Sequence, residues 1–261
     1  MPDLTIKPNA GSGNKLIIKD QANGAVLTTA DSGAAIANCT FPGKLLASVQ
    51  TFAAAGAVTW TKPAGVTAVL VYVTGGGGSG GRHTCGSAGS NPTYSAGGGA
   101  GGTAIKWITS GLGSTETVTI GAGGPARDTG TAYQTGAAGG TSSFGSHCSA
   151  TGGAGGQQGC AGAVEGGANG VGSSGNINLE GSPGEDGAEP SVASNLYKTS
   201  AGRGGESFWG GGGRGATGYD TSVAPEAGVK GSGGGGTHGN QQSQSSGAGG
   251  AGYCVVWEYV G

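Results

Sequence analysis

Large apolar side chains are scarce in this sequence. Leu, Ile, Val and Phe together supply 37 of the 261 residues, about 14%, and a share below roughly 20% is unusual for a folded domain. This is too few to fill the core of an ordinary α/β enzyme of this length. No apolar run approaches the roughly 18 residues of a membrane-spanning helix, and the first residues lack the apolar segment of a secretory signal. We therefore expect a protein that is made in a cytoplasm and is not inserted in a membrane.

Charged residues and metal-ligand patterns are also scarce. The 12 basic and 14 acidic residues give a net charge of −2, which leaves no basic surface for nucleic acid. Five cysteines without a secretory signal favour reduced thiols. His83, Cys85, His147 and Cys148 lack the paired spacing of a zinc site, so a metal site of these four at a tip is only an alternative. We expect no metal, no cofactor and no nucleic-acid partner.

Glycine, by contrast, is present in large excess. It fills 65 of the 261 positions, and 56 of these lie between residues 75 and 250. Long α-helices are excluded there, because each interior glycine costs about 1 kcal/mol. A collagen helix is excluded as well, because runs such as GGGGSGG (75–81) break the three-residue repeat and the chain has only 9 prolines.

Conventional strand patterns bracket the glycine tract. Residues 57–74, 101–124 and 253–260 alternate apolar and polar side chains and are bounded by Gly or Pro, the pattern typical of β-strands. The first two contain a turn and are interpreted as hairpins. Because the first and last of these stretches are far apart in sequence, we predict an antiparallel sheet that anchors both ends of the tract.

A tract anchored at both ends is expected to be ordered, and ordering glycine costs more conformational entropy than ordering any other residue. Fixing each backbone residue costs about 1–2 kcal/mol, which the few apolar side chains cannot offset. Backbone hydrogen bonds between segments can offset this cost, because extended helices with three residues per turn direct their N–H and C=O groups outward. We therefore predict a mainly β and irregular fold with essentially no α-helix. It comprises a short N-terminal β segment, then β-hairpins that anchor a glycine-rich polyglycine-II helix sandwich with exposed loops.

The N-terminal residues 1–50 differ from the rest. Two short apolar runs, at 16–18 and 26–27, flank Asn23-Gly24, which is a hairpin signal. The segment is too small to bury a core alone, so partner chains are expected. We divide the chain into residues 1–50 and residues 51–261.

Several motifs resemble the glycine-rich modules of bacteriophage tail fibres. In order, they are TWTKPAGVTAVLVYVTGGGGSGG (59–81), VTIGAGG (118–124), GGTSSFG (139–145), SATGGAGG (149–156), GNINLEGSPGEDG (175–187), GGESFWGGGGRG (204–215) and GAGGAGYCVVWEYVG (247–261). Over about residues 55–261 the chain is similar to the distal tail-fibre adhesins of T-even-like phages. The tip of those adhesins is a polyglycine-II sandwich whose loops at one end contact the host. Residues 14–36 look like shaft or attachment sequence, which the separate tip protein lacks, so attachment and oligomeric state do not carry over.

Four stretches interrupt the glycines with polar residues and one tyrosine each, at 87–96, 125–136, 185–200 and 216–230. Loops on a rigid scaffold commonly carry binding residues, and tyrosine gives large contact area at low entropic cost. The predicted receptor-contact residues are Tyr94, Arg127, Tyr133, Tyr197, Lys198, Tyr219 and Asp220. The alternative is that these rings cap the ends of the glycine stack. Trp209 has no such loop around it, and we predict that it packs.

The resemblance implies a receptor-binding fibre protein of the virion, synthesised in the host cytoplasm and without enzyme activity. Residues 51–261 would bind a bacterial outer-membrane protein or lipopolysaccharide. Residues 1–50 would attach to other tail or baseplate proteins and form a homotrimer. The alternatives are a passive fibre or connector, an ice-binding or matrix protein, and a depolymerase that uses carboxylates such as Glu185, Asp186 and Glu189. No catalytic residue is predicted.

Overall fold

The computed structural model describes residues 17–19, 25–30, 33–36, 43–83, 93–128, 133–159, 164–187, 201–217, 223–239 and 244–261. Within these ranges the chain is all-β with antiparallel sheets and contains no α-helix, so the predicted fold class is confirmed. Accordingly, no helix in these ranges is long and apolar enough to cross a membrane. The chain divides into two units, Met1–Leu45 with Gly261, and Leu46–Val260.

The first unit contains a three-stranded antiparallel sheet. Its strands are β1 (Ile17–Lys19), β2 (Ala25–Ala30) and β3 (Gly33–Ile36), in that order. The predicted hairpin around Asn23-Gly24 is confirmed, because Ile18 of β1 pairs with Leu27 of β2.

The remaining strands are short and numerous. They are β4 (Leu45–Phe52), β5 (Gly56–Thr61), β6 (Val66–Thr74), β7 (Arg82–His83), β8 (Thr93–Tyr94), β9 (Thr103–Ile108), β10 (Thr115–Ile120), β11 (Tyr133–Gln134), β12 (Ser142–Phe144), β13 (Cys148–Ala150), β14 (Gly172–Ser173), β15 (Ile177–Leu179), β16 (His238–Gly239) and β17 (Tyr253–Val260).

Two five-stranded sheets lie at one end of the second unit. The β6 sheet has the order β15-β9-β6-β17-β4, and the β10 sheet has the order β14-β13-β12-β10-β5. The predicted pairing of the sequence-distant strands is confirmed, because β17 pairs with β6 from Tyr253–Thr74 to Val260–Val66.

The two hairpins predicted at 57–74 and 101–124 are wrong. β5 pairs with β10 in one sheet, while β6 pairs with β9 in the other. Each of these turns therefore carries the chain from one sheet to the facing sheet. The physical reason is that the apolar alternation of both strands is satisfied by facing each other across a core. Trp60 of β5 and Val71 of β6 are both fully buried there.

The core between the sheets is small and apolar. It contains Trp60, Val69, Val118, Phe144 and Val256, with Trp60 and Phe144 in edge contact at 5.4 Å between ring centres. One carboxylate is buried with them.

That buried carboxylate belongs to Glu258 and accepts three side-chain hydrogen bonds. Trp60 Nε1 and Gln50 Nε2 each donate to its Oε1 at 2.6 Å, and Ser48 Oγ donates to its Oε2. Strands β4, β5 and β17 are thereby linked through one side chain, and the buried charge is compensated as such a group requires.

Beyond the sheets the chain forms twelve extended glycine helices within the described residues. We name them A (75–81), B (95–102), C (121–128), D (135–141), E (151–159), F (165–170), G (181–186), H (201–206), I (211–216), J (224–229), K (232–237) and L (244–252).

The glycine helices have the three-residue period that was predicted. In helix A, successive N–H groups donate to three different neighbours, and the fourth returns to the first neighbour. The pairs are Gly75 to Gly102, Gly76 to Gly140, Gly77 to Gly250, Gly78 to Gly99, Ser79 to Ala137 and Gly80 to Gly247, all at 2.8–3.0 Å. Helix A thus bonds helices B, D and L in rotation, which is the behaviour of polyglycine-II packing.

The twelve helices form a hexagonal array with three interior members. Helices A, B and K bond one another, and the hydrogen bonds give each of them six neighbours. The other nine form a closed ring around them in the order C, D, E, F, G, H, I, J, L. Every residue of A, B and K is buried, as this arrangement requires.

Glycine is required in this array because the helices approach one another too closely for side chains. A Cβ at Gly77 of helix A would overlap the carbonyl of Ser232 in helix K. A Cβ at Gly98 of helix B would overlap the carbonyl of Gly78 in helix A. By contrast, a Cβ at Gly211, in the outer helix I, meets nothing within 4 Å.

Candidate functional site

Successive glycine helices run in opposite directions. Helices A, C, E, G, I and K run away from the sheets, and the helix after each of them returns. All six reversals at the far end therefore involve the same end of the array, which we call the loop end. The segments between them, 84–92, 129–132, 160–163, 188–200, 218–222 and 240–243, lie outside the described residues.

The alternating direction of the helices brings together residues that are far apart in the sequence. The four tyrosine-containing stretches span more than a hundred residues, yet the described residues that flank them all lie at the loop end. An array that brings the flanks of several polar segments to one end is an arrangement suited to binding.

The centre of the loop end is formed by the ends of the three interior helices. Thr237 of helix K joins them, because its backbone N–H donates to Gly81 O at 3.2 Å and its carbonyl accepts from Ser95 N–H at 2.9 Å. Its Oγ1 also accepts from His83 N–H at 2.9 Å. Short antiparallel ladders, β7 with β11 and β8 with β16, extend the array here.

Two histidine–tyrosine ring pairs lie on these ladders. The rings of His83 and Tyr133 are 4.8 Å apart, and those of Tyr94 and His238 are 4.7 Å apart. His83, Tyr94 and His238 are buried, whereas Tyr133 is 48% exposed.

Burial disfavours the charged form of both imidazoles. It lowers the pKa of His238, and together with the nearby charge of Arg82 it lowers the pKa of His83. The Arg82 guanidinium is fully buried, and burial lowers its pKa while Asp128 opposes this shift. Arg82 Nε donates to Gln244 O at 2.9 Å, so the side chain also ties helix A to helix L.

Arg127 links neighbouring helices at the side of the loop end. Its backbone N–H donates to Ser246 Oγ at 3.0 Å, and its Nε donates to Thr135 O at 2.7 Å. Helices C, D and L therefore meet at this half-buried arginine.

The seven predicted contact residues have different positions. Tyr133 is exposed, Arg127 is half-buried and Tyr94 is buried. Tyr197, Lys198, Tyr219 and Asp220 lie outside the described residues. Receptor contact stays a prediction for all seven, and Tyr133 is the described ring best exposed to a partner. Trp209 packs as predicted, because its ring contacts Tyr72 and Tyr253 and its Nε1 donates to Thr74 Oγ1 at 2.8 Å.

Sequence reasoning missed the central residues Arg82, Thr237 and His238. A partial signal was available, since each closely follows an uninterrupted glycine run, at 75–78 or 233–236. The signal is imperfect, because the run at 210–213 enters the outer helix I.

The alternative metal site at the tip is not assembled among the described residues, and its Cys85 lies outside them. His83 lies at the loop end, whereas His147 and Cys148 lie among the sheets, and helix A separates these ends by about 20 Å. His147 Nε2 instead lies 3.1 Å from Glu116 Oε1. Among the described residues, no three metal-ligating side chains cluster.

Three ionisable groups near the sheets have shifted pKa values. Burial alone would raise the pKa of Glu116, but the Gly113 N–H and His147 lower it below its usual value. Burial raises the pKa of the Cys148 thiol to about 11 and also raises that of Cys254. A thiol held protonated is a poor nucleophile.

Comparison with known proteins identifies one matching family. A family model described as a glycine-rich domain matches residues 52–259. A search of curated protein sequences finds no significant match.

Proposed function

The chain belongs to the glycine-rich domain family, and we propose that it is a bacteriophage tail fibre protein that attaches the virion to a bacterial surface receptor through its loop end. The observation that carries the proposal is that the described residues flanking these six segments all lie at one end of the array. The tail-fibre resemblance of residues 55–261 supplies the biological setting.

The array suits a protein that must change partners. Its cohesion comes from backbone hydrogen bonds between the helices, so the composition of the joining segments is free to vary. The partner in this proposal is a bacterial outer-membrane protein or lipopolysaccharide. Exposed Tyr133 and half-buried Arg127 offer an aromatic surface and a cation to protein, sugar or phosphate groups.

Residues 1–50 complete the proposal. They attach to other tail or baseplate proteins and bring three copies together. Trimerisation strengthens weak single contacts, because later binding steps become intramolecular. The protein is synthesised in the host cytoplasm, resides in the virion and has no enzyme activity.

Adsorption of labelled full-length protein to a panel of Gram-negative cells tests this function. We expect saturable binding to some strains, which blocks infection by a matching phage. Replacing 129–132, 188–200 and 218–222 by Gly-Ser segments of equal length, together with Tyr133→Ser, should abolish binding. The control variant Thr59→Ser, on the opposite end of the unit, should bind normally. A folded protein that binds no strain would instead support a passive fibre or connector.

A further inference from the structure

The two sheets present opposite chemistries on their outward faces. Apart from Ala57, which pairs with Thr119, the outward positions of the β10 sheet hold hydroxyl side chains: Thr59, Thr61, Thr115, Thr117, Thr119, Ser143, Ser149 and Ser173. Polar outward positions are what a solvated antiparallel sheet requires. We call this surface the hydroxyl face.

The outward positions of the β6 sheet are apolar and aromatic. Two rows cross its strands, Ile177–Ile105–Tyr72–Val255 and Trp107–Leu70–Trp257, as the strand register places them. Tyr259 packs edge-on against Trp107, with 4.9 Å between ring centres. We call this surface the apolar face.

A substantial part of the apolar face is exposed. Ile177 is 53% exposed, Val49 of β4 is 44% exposed, and Trp107 and Trp257 are 38% and 37% exposed. Large apolar side chains exposed together on one sheet face, and not scattered singly, mark an interaction surface.

We propose that the apolar face is where copies of this chain pack against one another. The outward positions of β4, β6, β9, β15 and β17 carry no charged side chain in the described part of the chain. Lys230 Nζ, 4.7 Å from the Tyr253 ring centre, places one cation beside the face. Aromatic and aliphatic anchors are the groups that stabilise interface centres.

The order of the chain favours a second copy over another partner. The first 44 residues lead directly into β4, the edge strand of this same sheet. If that segment gathers copies as proposed above, the apolar faces are tethered at an effective concentration of roughly millimolar, and even a weak contact forms. The inference rests on the proposed function only for this tether.

Sedimentation of the full-length chain tests the proposal, with Trp257→Glu on the apolar face and Thr117→Glu as the matched charge on the hydroxyl face. We expect the wild type and Thr117→Glu to associate at micromolar concentration. Trp257→Glu should weaken association at least about tenfold, since a buried unpaired carboxylate is expensive. Thermal melting shows whether each variant folds. If Trp257→Glu does not fold, Ile177→Lys, at a more exposed position, provides the same test.

Two outcomes would overturn the proposal. The first is a wild type that stays monomeric up to about 100 µM, which would mean that something other than a second copy covers the face. The second is association that the apolar-face and hydroxyl-face variants leave equally unchanged, because residues 1–50 would then hold the copies alone. Cell adsorption separates this from the receptor proposal: an associating protein that binds no strain refutes the receptor function but not the interface.

Discussion

The two ends of the second unit are stabilised by different forces. Between the sheets, Trp60, Phe144 and their aliphatic neighbours form a hydrophobic core. In the glycine array almost no side chains are available, and the helices bond through their backbones in three directions. The comparison teaches that a chain poor in apolar residues can concentrate them at one end and stabilise the remainder by hydrogen bonds alone. It also predicts that different substitutions destabilise the two ends.

The largest effect is expected for Gly77→Ala. Its Cβ would overlap the Ser232 carbonyl of helix K, and neither backbone can move without breaking neighbouring hydrogen bonds. We expect a loss of more than about 3 kcal/mol of unfolding free energy, or no folding. The control is Gly211→Ala, which meets open space and should change stability by less than about 1 kcal/mol. Equal effects of the two substitutions in denaturant melts would contradict the array.

A smaller loss is expected for Trp60→Phe in the hydrophobic core. The substitution leaves a cavity and removes one of the three hydrogen bonds to the buried Glu258 carboxylate. We expect a loss of about 2–4 kcal/mol by chemical denaturation. Trp107→Phe, at an exposed position, should cost under about 1 kcal/mol, and a similar loss at both positions would argue against this core.

The loop end should weaken in acid. Because burial lowers the pKa values of His83 and His238, the unfolded state binds more protons than the folded state once the pH falls below about 6.5. Stability should therefore decrease from pH 7 to pH 5, by up to about 1.4 kcal/mol per pH unit for each histidine. The double variant His83→Gln with His238→Gln should lose this part of the slope. An unchanged slope would place the acid sensitivity elsewhere.

The smallest effect concerns the core thiols. Burial raises the pKa of Cys148 and Cys254, so both should resist alkylation at pH 8 in the folded protein and react after unfolding. Mass spectrometry of peptides from iodoacetamide-treated protein measures this. Rapid native labelling of Cys254 would show that the sheets open readily.

Sequence reasoning predicts which interactions stabilise each region better than it predicts which strands and helices are adjacent. Alternation identified β6 and β17 and their pairing, and the glycine excess predicted hydrogen-bonded helices. It could not predict that β5 and β6 face each other, because a period-two pattern shows which side is buried and not which strand is adjacent. Nor could it select helices A, B and K as interior, since the outer helix I begins within an equally pure glycine run.

The same limit applies to the candidate site. The convergence of the polar stretches follows from the alternating direction of the helices, which is a consequence of topology and not of composition. Tyr94 and Tyr133 each lie within a polar stretch and look alike in sequence. The ladders of β8 and β11 bury one ring and expose the other.

Native-state hydrogen exchange tests the central claim most directly. The backbone amides of 75–81, 95–102 and 232–237 lie in a region that is almost entirely glycine and polar, where unstructured amides exchange within seconds. We predict that they are protected as strongly as the amides of β6 and β17, because their hydrogen bonds are interior and break only when the array opens. Exchange in these three helices as fast as in the outer helix I, with β6 and β17 still protected, would contradict the account.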